Sequence, residues 1–279
     1  MALRIGQTAG VQRSLSGILF MVAAICLGLA AGVWWMKFSV LSPNDTTGAT
    51  HAILSDDEIR AEVTTVVTAA TAGTLGADQR ELAAFVEGII ASRAGAAVTG
   101  GLIRDAHARS IGMDPDPVRI SGDQMAQIVR DERVAVLDPV TLPVPEITVL
   151  RMLRNSIGWL TLGLLGIGAI CVLAGIVVRP ERFDIARGLA ELAIAIGTSL
   201  ILFGYLVPVF VLPALNDTTW STAVARLALR TLPLVLVTSF VLIGAGGLWW
   251  LANRGSGPRR PTWNTSSRSS AYQPIRRWS

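Results

Sequence analysis

The sequence predicts an all-α membrane protein with four transmembrane helices, one before and three after a small, mainly helical extracytoplasmic domain. Three observations carry this. Half of the 279 residues are hydrophobic, and much of that content lies in four long uncharged runs. The acidic residues gather between the first and second runs. Within that stretch, apolar residues recur at helical rather than strand spacing.

The runs are 17–36, 157–178, 189–212 and 231–252. Each is close to the roughly 20 residues needed to cross about 30 Å of hydrocarbon. The first ends in "VWWMK", aromatic residues followed by the chain's one lysine, which suits a membrane interface. The only small-x-small site for leader cleavage, Gly28-Leu29-Ala30, lies inside the apolar run, so the first run reads as a retained span. Cys26 lacks the small residue a lipidation signal needs before it. Both cysteines, Cys26 and Cys171, fall in spans, so no disulfide staples the domain between them.

Charge sets the expected orientation. Residues 37–155 hold 11 basic and 16 acidic residues, while the rest of the chain holds 13 basic and 4 acidic. A net charge of +4 therefore says nothing of nucleic acid, because its positive part flanks the spans. Arg4 and Arg13 precede the first span, and "RPERFDIAR" carries three arginines between the second and third. Six more follow the fourth: Arg254, Arg259, Arg260, Arg268, Arg276 and Arg277. By the positive-inside rule both termini are cytoplasmic and the acidic domain is outside. Arg226 and Arg230, just before the fourth span, run against this pattern.

The expected layout is a cytoplasmic N-terminus (1–16), span one, the outer domain (37–156) and span two. A cytoplasmic loop (179–188), span three, an outer loop (213–230), span four and a cytoplasmic tail (253–279) follow. In the domain, "SPNDTTGAT" reads as a spacer. Ser55 and Glu58 form a capping box for a helix whose stripe is Ile59, Val63, Val66, Val67 and Ala70. A second helix starts at Asp78 and carries Leu82, Phe85, Val86, Ile89 and Ile90. A third covers about Val98–Ser110, and "GMDPDP" turns the chain. Ser121 and Gln124 cap a short helix, with Ile120 and Met125 spaced as a hydrophobic staple. "DERVAVLDPVTLPV" reads as extended, with the makings of a hairpin. Phe85 is the one aromatic residue between Ser39 and Asn155, so the domain's core is modest and would gain from packing on the span ends.

From Glu146 to Val178 nothing breaks a helix, and Pro145 suits its first position. At 1.5 Å per residue such a helix is longer than the bilayer core, so its first turns should stand above it as a stalk. Arg151, Arg154 and Asn155 would face water or lipid headgroups.

Residues with chemical potential are scattered. Glu191 lies four residues after Arg187 and reads as its ion-pair partner rather than a proton site. His51 and His107 lack ligand-spaced companions. "DPDP" at 114–117 lacks a calcium loop's spacing. Pro208, Pro213 and Pro233 should kink or end helices near the outer face. Small residues at Gly168, Cys171, Gly175, Ala193, Gly197, Gly244 and Gly247 should permit close helix packing. Asn44, Asn216 and Asn264 stand in chance Asn-x-Ser/Thr triplets. No catalytic, cofactor or metal residue is assigned, and no cofactor is expected. The tail is rich in Gly, Ser, Pro and Arg, reads as disordered, and suits an anionic lipid surface.

The segments "LSDDEIRAEV", "ISGDQMAQIVRD" and "PVTLPVPEITVLRMLRNSIGWL" resemble uncharacterised integral membrane proteins of actinobacteria, especially mycobacteria, over most of residues 1–252. The resemblance implies the one-plus-three layout and no catalytic residue. The expected function is a non-enzymatic envelope scaffold, sensor or accessory subunit in the bacterial plasma membrane, with a membrane or envelope protein as partner. A transport accessory would need polar residues such as Thr161, Thr198, Ser199, Tyr205, Thr238 and Ser239 facing inward. A membrane enzyme acting on a lipid or cell-wall precursor would need Asp217, Arg226 and Arg230 to converge.

Overall fold

The computed structural model describes residues 3–43, 46–178, 182–215 and 218–254, with side chains except at 3–14, 182–185 and 253–254. Asp217, the Asn-x-Ser/Thr asparagines Asn44, Asn216 and Asn264, and the basic tail beyond Arg254 lie outside the described residues.

Helix dominates. The first helix, α1, spans Leu3–Ser39. Six short helices follow: α2 (Thr47–Leu54), α3 (Asp57–Leu75), α4 (Gln79–Ala91), α5 (Arg93–Val98), α6 (Gly100–Ser110) and α7 (Gly122–Val129). Then come three long helical stretches. These are α8 (Thr148–Val178), α9 (Arg182–Ile201) with its continuation to α10 (Leu212–Ala214), and α11 (Thr222–Arg254). Four stretches are long and apolar enough to cross a membrane: Leu15–Ser39, Thr148–Val178, Ala186–Ala214 and Thr219–Ala252.

The caps explain the short helices. Asp56, not Ser55, starts α3: its Oδ1 accepts from the backbone N–H of Glu58 at 3.1 Å and Ile59 at 3.4 Å. Ser55 instead closes α2, its hydroxyl donating to the Ala52 carbonyl. The expected capping box is thus displaced by one residue, because the preceding stretch is already helical. "TTGAT" was expected in a spacer, but Thr46 accepts from the N–H of Ala49 and opens α2. Asp78 caps α4, and Ser92 caps α5. Gly95 is needed at that corner, since a Cβ would run into the Ile89 carbonyl oxygen. The third expected helix is α6, starting at Gly100, and the short α5 that precedes it was not expected. Ser121 and Gln124 form the reciprocal capping box of α7.

The segment expected to be extended does not form a hairpin within itself. A 3-10 turn covers Glu132–Val134. Strand β1 (Arg119–Ile120) pairs antiparallel with β2 (Val140–Thr141) around α7.

Two apolar clusters organise the molecule. The domain core joins Ile59, Val63 and Val67 of α3 to Val86 and Ile90 of α4, Ile103 of α6 and Met125 of α7. It also takes in Trp220, Ala223 and Leu227, which belong to the start of the last long helix. Phe85 is not in it. That ring is 45% exposed, because the stripe of α4 is narrower than five residues and is centred on Leu82, Val86 and Ile90. The second cluster is the seam. Met36 of α1 and Val40 just past its end meet Ile111, Ile147, Leu150, Leu212 and Val224 there.

Helix α8 begins at Thr148, two residues later than expected, and is tied to the domain by the Ile147 N–H donating to the Ser110 carbonyl at 2.9 Å. The segment expected as a loop over 213–230 is helical from Thr222. At 1.5 Å per residue the 33 residues of α11 reach about 50 Å, longer than the roughly 30 Å of a bilayer core.

Among the long helices, α1 packs on α8 and α9, and α9 packs on α11. Glycines set the approach. A Cβ on Gly32 would lie 2.7 Å from the Ser199 carbonyl oxygen of α9, and one on Gly246 would lie 2.8 Å from the Ala190 carbonyl oxygen. Gly168 and Gly175 face Leu27 and Phe20 of α1. Gly244 and Gly247 meet nothing within 4 Å, so the expected packing role falls to Gly246 instead. Pro208 sits inside a π-helical stretch, Leu202–Val211, that continues α9. Proline cannot donate to the preceding turn and its ring crowds the carbonyl four residues back. Widening the helix accommodates it without ending the span.

Candidate functional site

The seam between the domain and the long helices gathers the polar side chains that matter. Asp56 is buried, with 8% of its side chain exposed. Its Oδ1 caps α3, and its Oδ2 accepts from the guanidinium of Arg226 on α11, with Nε and Nη2 both at 3.1 Å. One turn further along α11, Arg230 donates to the Thr46 hydroxyl at 3.4 Å. Its guanidinium lies over Gly48, where a Cβ would come within 2.9 Å. The two arginines that ran against the charge pattern thus hold the domain onto the last long helix. Sequence alone offered no sign of this, since Asp56 and Arg226 are 170 residues apart.

Beside this clamp, Glu62 is partly buried near the Trp220 indole. Burial pushes its carboxyl above the usual range, with the indole acting in the opposite sense. The Trp220 Nε1–H does not reach hydrogen-bond geometry with any acceptor. His107 sits on the other side of the seam, 2% exposed. Burial lowers its pKa to about 4, and a hydrogen bond with the Val40 backbone opposes that shift. The ring is therefore neutral at physiological pH, and its Nε2 has no partner. It serves packing between α6 and the end of α1.

A cleft of about 510 Å³ opens where α1 ends and α8 begins. Lys37, Ser42, Arg154 and Asn155 form its polar part. Leu41, Met113, Trp159 and Leu162 form its apolar wall. No carboxylate among the described residues lines it.

The other residues weighed from sequence do not converge. Arg187 Nε donates to Glu191 Oε1 at 2.9 Å on α9, an i,i+4 pair. His51 is exposed on α2. Asp114 and Asp116 border a hollow of about 410 Å³ with Asp105 and Arg119, and Asp114 Oδ1 is occupied by the Asp116 N–H. No group of three His, Cys, Asp or Glu side chains able to hold a metal forms among the described residues. Thr161 and Thr198 turn their hydroxyls onto their own helices, donating to the carbonyls of Ile157 and Ile194. Ser239 is buried with its hydroxyl unpartnered.

No protein-family model matches the chain, and no curated protein or solved structure matches it either.

Proposed function

We propose that the chain is a non-enzymatic multi-pass membrane protein that acts as a scaffold, sensor or accessory subunit through the domain between its first and second spans. The observation that carries this reading is the shared core. Ala223 and Leu227 of α11, with Trp220 in the turn just before it, are packed into the domain, and Asp56 and Arg226 pin the same contact. A contact made on the domain surface therefore bears directly on a helix that runs through the bundle. This suits a protein that is read by, or reads, another protein. A tethered enzyme domain would need no such coupling.

The domain faces the outside of a bacterial plasma membrane in this reading, with both termini cytoplasmic. The charge distribution supports it, and the engagement of Arg226 and Arg230 by Asp56 and Thr46 removes the contrary signal. The partner is a membrane or envelope protein, and the basic tail lies on anionic lipid.

The test has two arms. A cysteine replacing Ala97 should react with an impermeant thiol reagent on intact cells, and one replacing Ser267 should not; the reverse pattern overturns the orientation. A photo-crosslinker at exposed Val136 should capture the same specific envelope protein in repeated purifications. Loss of function from Asp217→Ala in a folded, membrane-inserted protein would instead favour an enzyme.

A further inference from the structure

We propose that the cleft at the junction of α1 and α8 binds one anionic phospholipid, with Lys37 and Arg154 holding its phosphate and the wall of α8 holding an acyl chain.

The arrangement is that of a site for an anionic amphiphile. Lys37 lies in the last turn of α1, beside Trp34 and Phe38, whose rings stack at 5.9 Å. Aromatic residues and a lysine at a span end mark the membrane–water interface. Arg154 comes from the second turn of α8, so two cations from different helices line the cleft at that level. Neither makes an ion pair among the described residues. Arg151, one turn above on α8, differs, since it pairs with Glu146 at 2.9 Å. Arg154 has only Asn155 Oδ1, at 3.2 Å from Nη2, and its Nε is buried without a partner. A guanidinium presents a planar fork of donors that matches phosphate oxygens, so an anion here would take up donors that the protein leaves idle.

Below the cations the cleft turns apolar. Gly158, Trp159 and Leu162 follow Arg154 at four, five and eight residues, which carries one face of α8 down toward the bilayer interior. Gly158 meets nothing within 4 Å, and its missing side chain leaves a trough. Trp159 is 79% exposed and Leu162 63%. Helix α8 packs on α1 among the long helices, so the trough opens to whatever surrounds the bundle. Two cations over an apolar trough select a negatively charged head with an attached chain. A free phosphate would leave the trough empty, and a zwitterionic head would bring its own cation against Lys37 and Arg154.

The inference rests on the long helices being membrane spans, and on nothing about a protein partner. It is tested with the full chain in neutral detergent by native mass spectrometry, titrating phosphatidylglycerol, phosphatidylcholine or glycerol phosphate. One phosphatidylglycerol should bind saturably and more tightly than phosphatidylcholine, and glycerol phosphate should not displace it. Lys37→Gln combined with Arg154→Gln should weaken phosphatidylglycerol by about tenfold or more and abolish the preference. Lys37→Arg should retain it. Lys37→Gln alone, at an exposed position that folding does not need, should weaken it in the same direction. Equal binding of the two lipids, unchanged affinity in the folded charge variants, or displacement by glycerol phosphate would each overturn the proposal. Failure of the chain to sediment with membranes would instead refute the reading of the helices as spans.

Discussion

Asp56 faces two ways: one carboxylate oxygen ends the first turn of α3, and the other lies 3.1 Å from the Arg226 guanidinium on α11. A single short side chain therefore joins helix initiation to domain docking. Its two roles can be separated by substitution. Asp56→Asn keeps an acceptor for the cap and loses the charge, whereas Asp56→Ala loses both. A missing cap costs about 1 kcal/mol, and a part-buried arginine left unpaired adds about 1–3 kcal/mol. We expect Asp56→Ala to be clearly less stable than Asp56→Asn in thermal unfolding. Arg226→Met should restore part of the loss in the Ala background. Equal stability of the two variants would place all of Asp56's effect in the ion pair.

Phe85 and Val86 are neighbours in sequence with opposite expectations. Val86 is fully buried in the domain core, and Phe85 is not. Val86→Asp should unfold the domain, since an unpaired buried carboxylate costs several kcal/mol against a small margin. Phe85→Asp should cost about 1 kcal/mol or less. Limited proteolysis reads the difference: rapid cleavage of the Val86 variant and wild-type resistance of the Phe85 variant.

The close helix contacts can be tested in the same manner. Gly32→Val would drive a branched side chain into the Ser199 backbone and should cost about 1–3 kcal/mol or more in denaturant titration of the micelle-embedded protein. Gly247→Ala points into open space and should be neutral within about 0.5 kcal/mol. If both behave alike, α1 and α9 do not pack through Gly32.

His107 gives the domain a dependence on pH. Its pKa is about 4 when folded and about 6.5 when unfolded. The unfolded chain therefore binds the extra proton first as pH falls. The stability that depends on neutral His107 is complete above pH 6.5 and is lost progressively down to about pH 4, to a total of roughly 3 kcal/mol. Melting curves between pH 4 and 7.5 should show this slope in the wild type and a shallower one in His107→Asn. Parallel slopes would mean that other groups dominate acid unfolding.

Much of the local structure was legible in the residues. Four apolar runs longer than a soluble helix requires mark the long helices, and Asp78 and Ser121 mark caps by side chains that accept from the next turn. Ile59, Val63 and Val67 declare a buried face through their spacing alone. The signal fails where one more neighbour decides. Ser55 and Glu58 fit a capping box, but a preceding helical turn gives the cap to Asp56. Phe85 fits an apolar stripe, but the facing helices cover only Leu82, Val86 and Ile90.

The sequence by itself determined that the chain is helical, that four of its stretches are apolar enough to cross a membrane, and that an acidic segment lies between the first two. Those are properties of periodicity, length and charge, which each segment carries alone. Only the tertiary structure decided that the last long helix begins inside the domain's core. It also brought Asp56 to Arg226 and put Lys37 and Arg154 on one cleft above an open trough. These contacts join residues more than a hundred positions apart, and no local pattern encodes them. They follow from how α1, α8 and α11 meet at one end of the bundle, which close packing through glycines and a shared apolar seam settles.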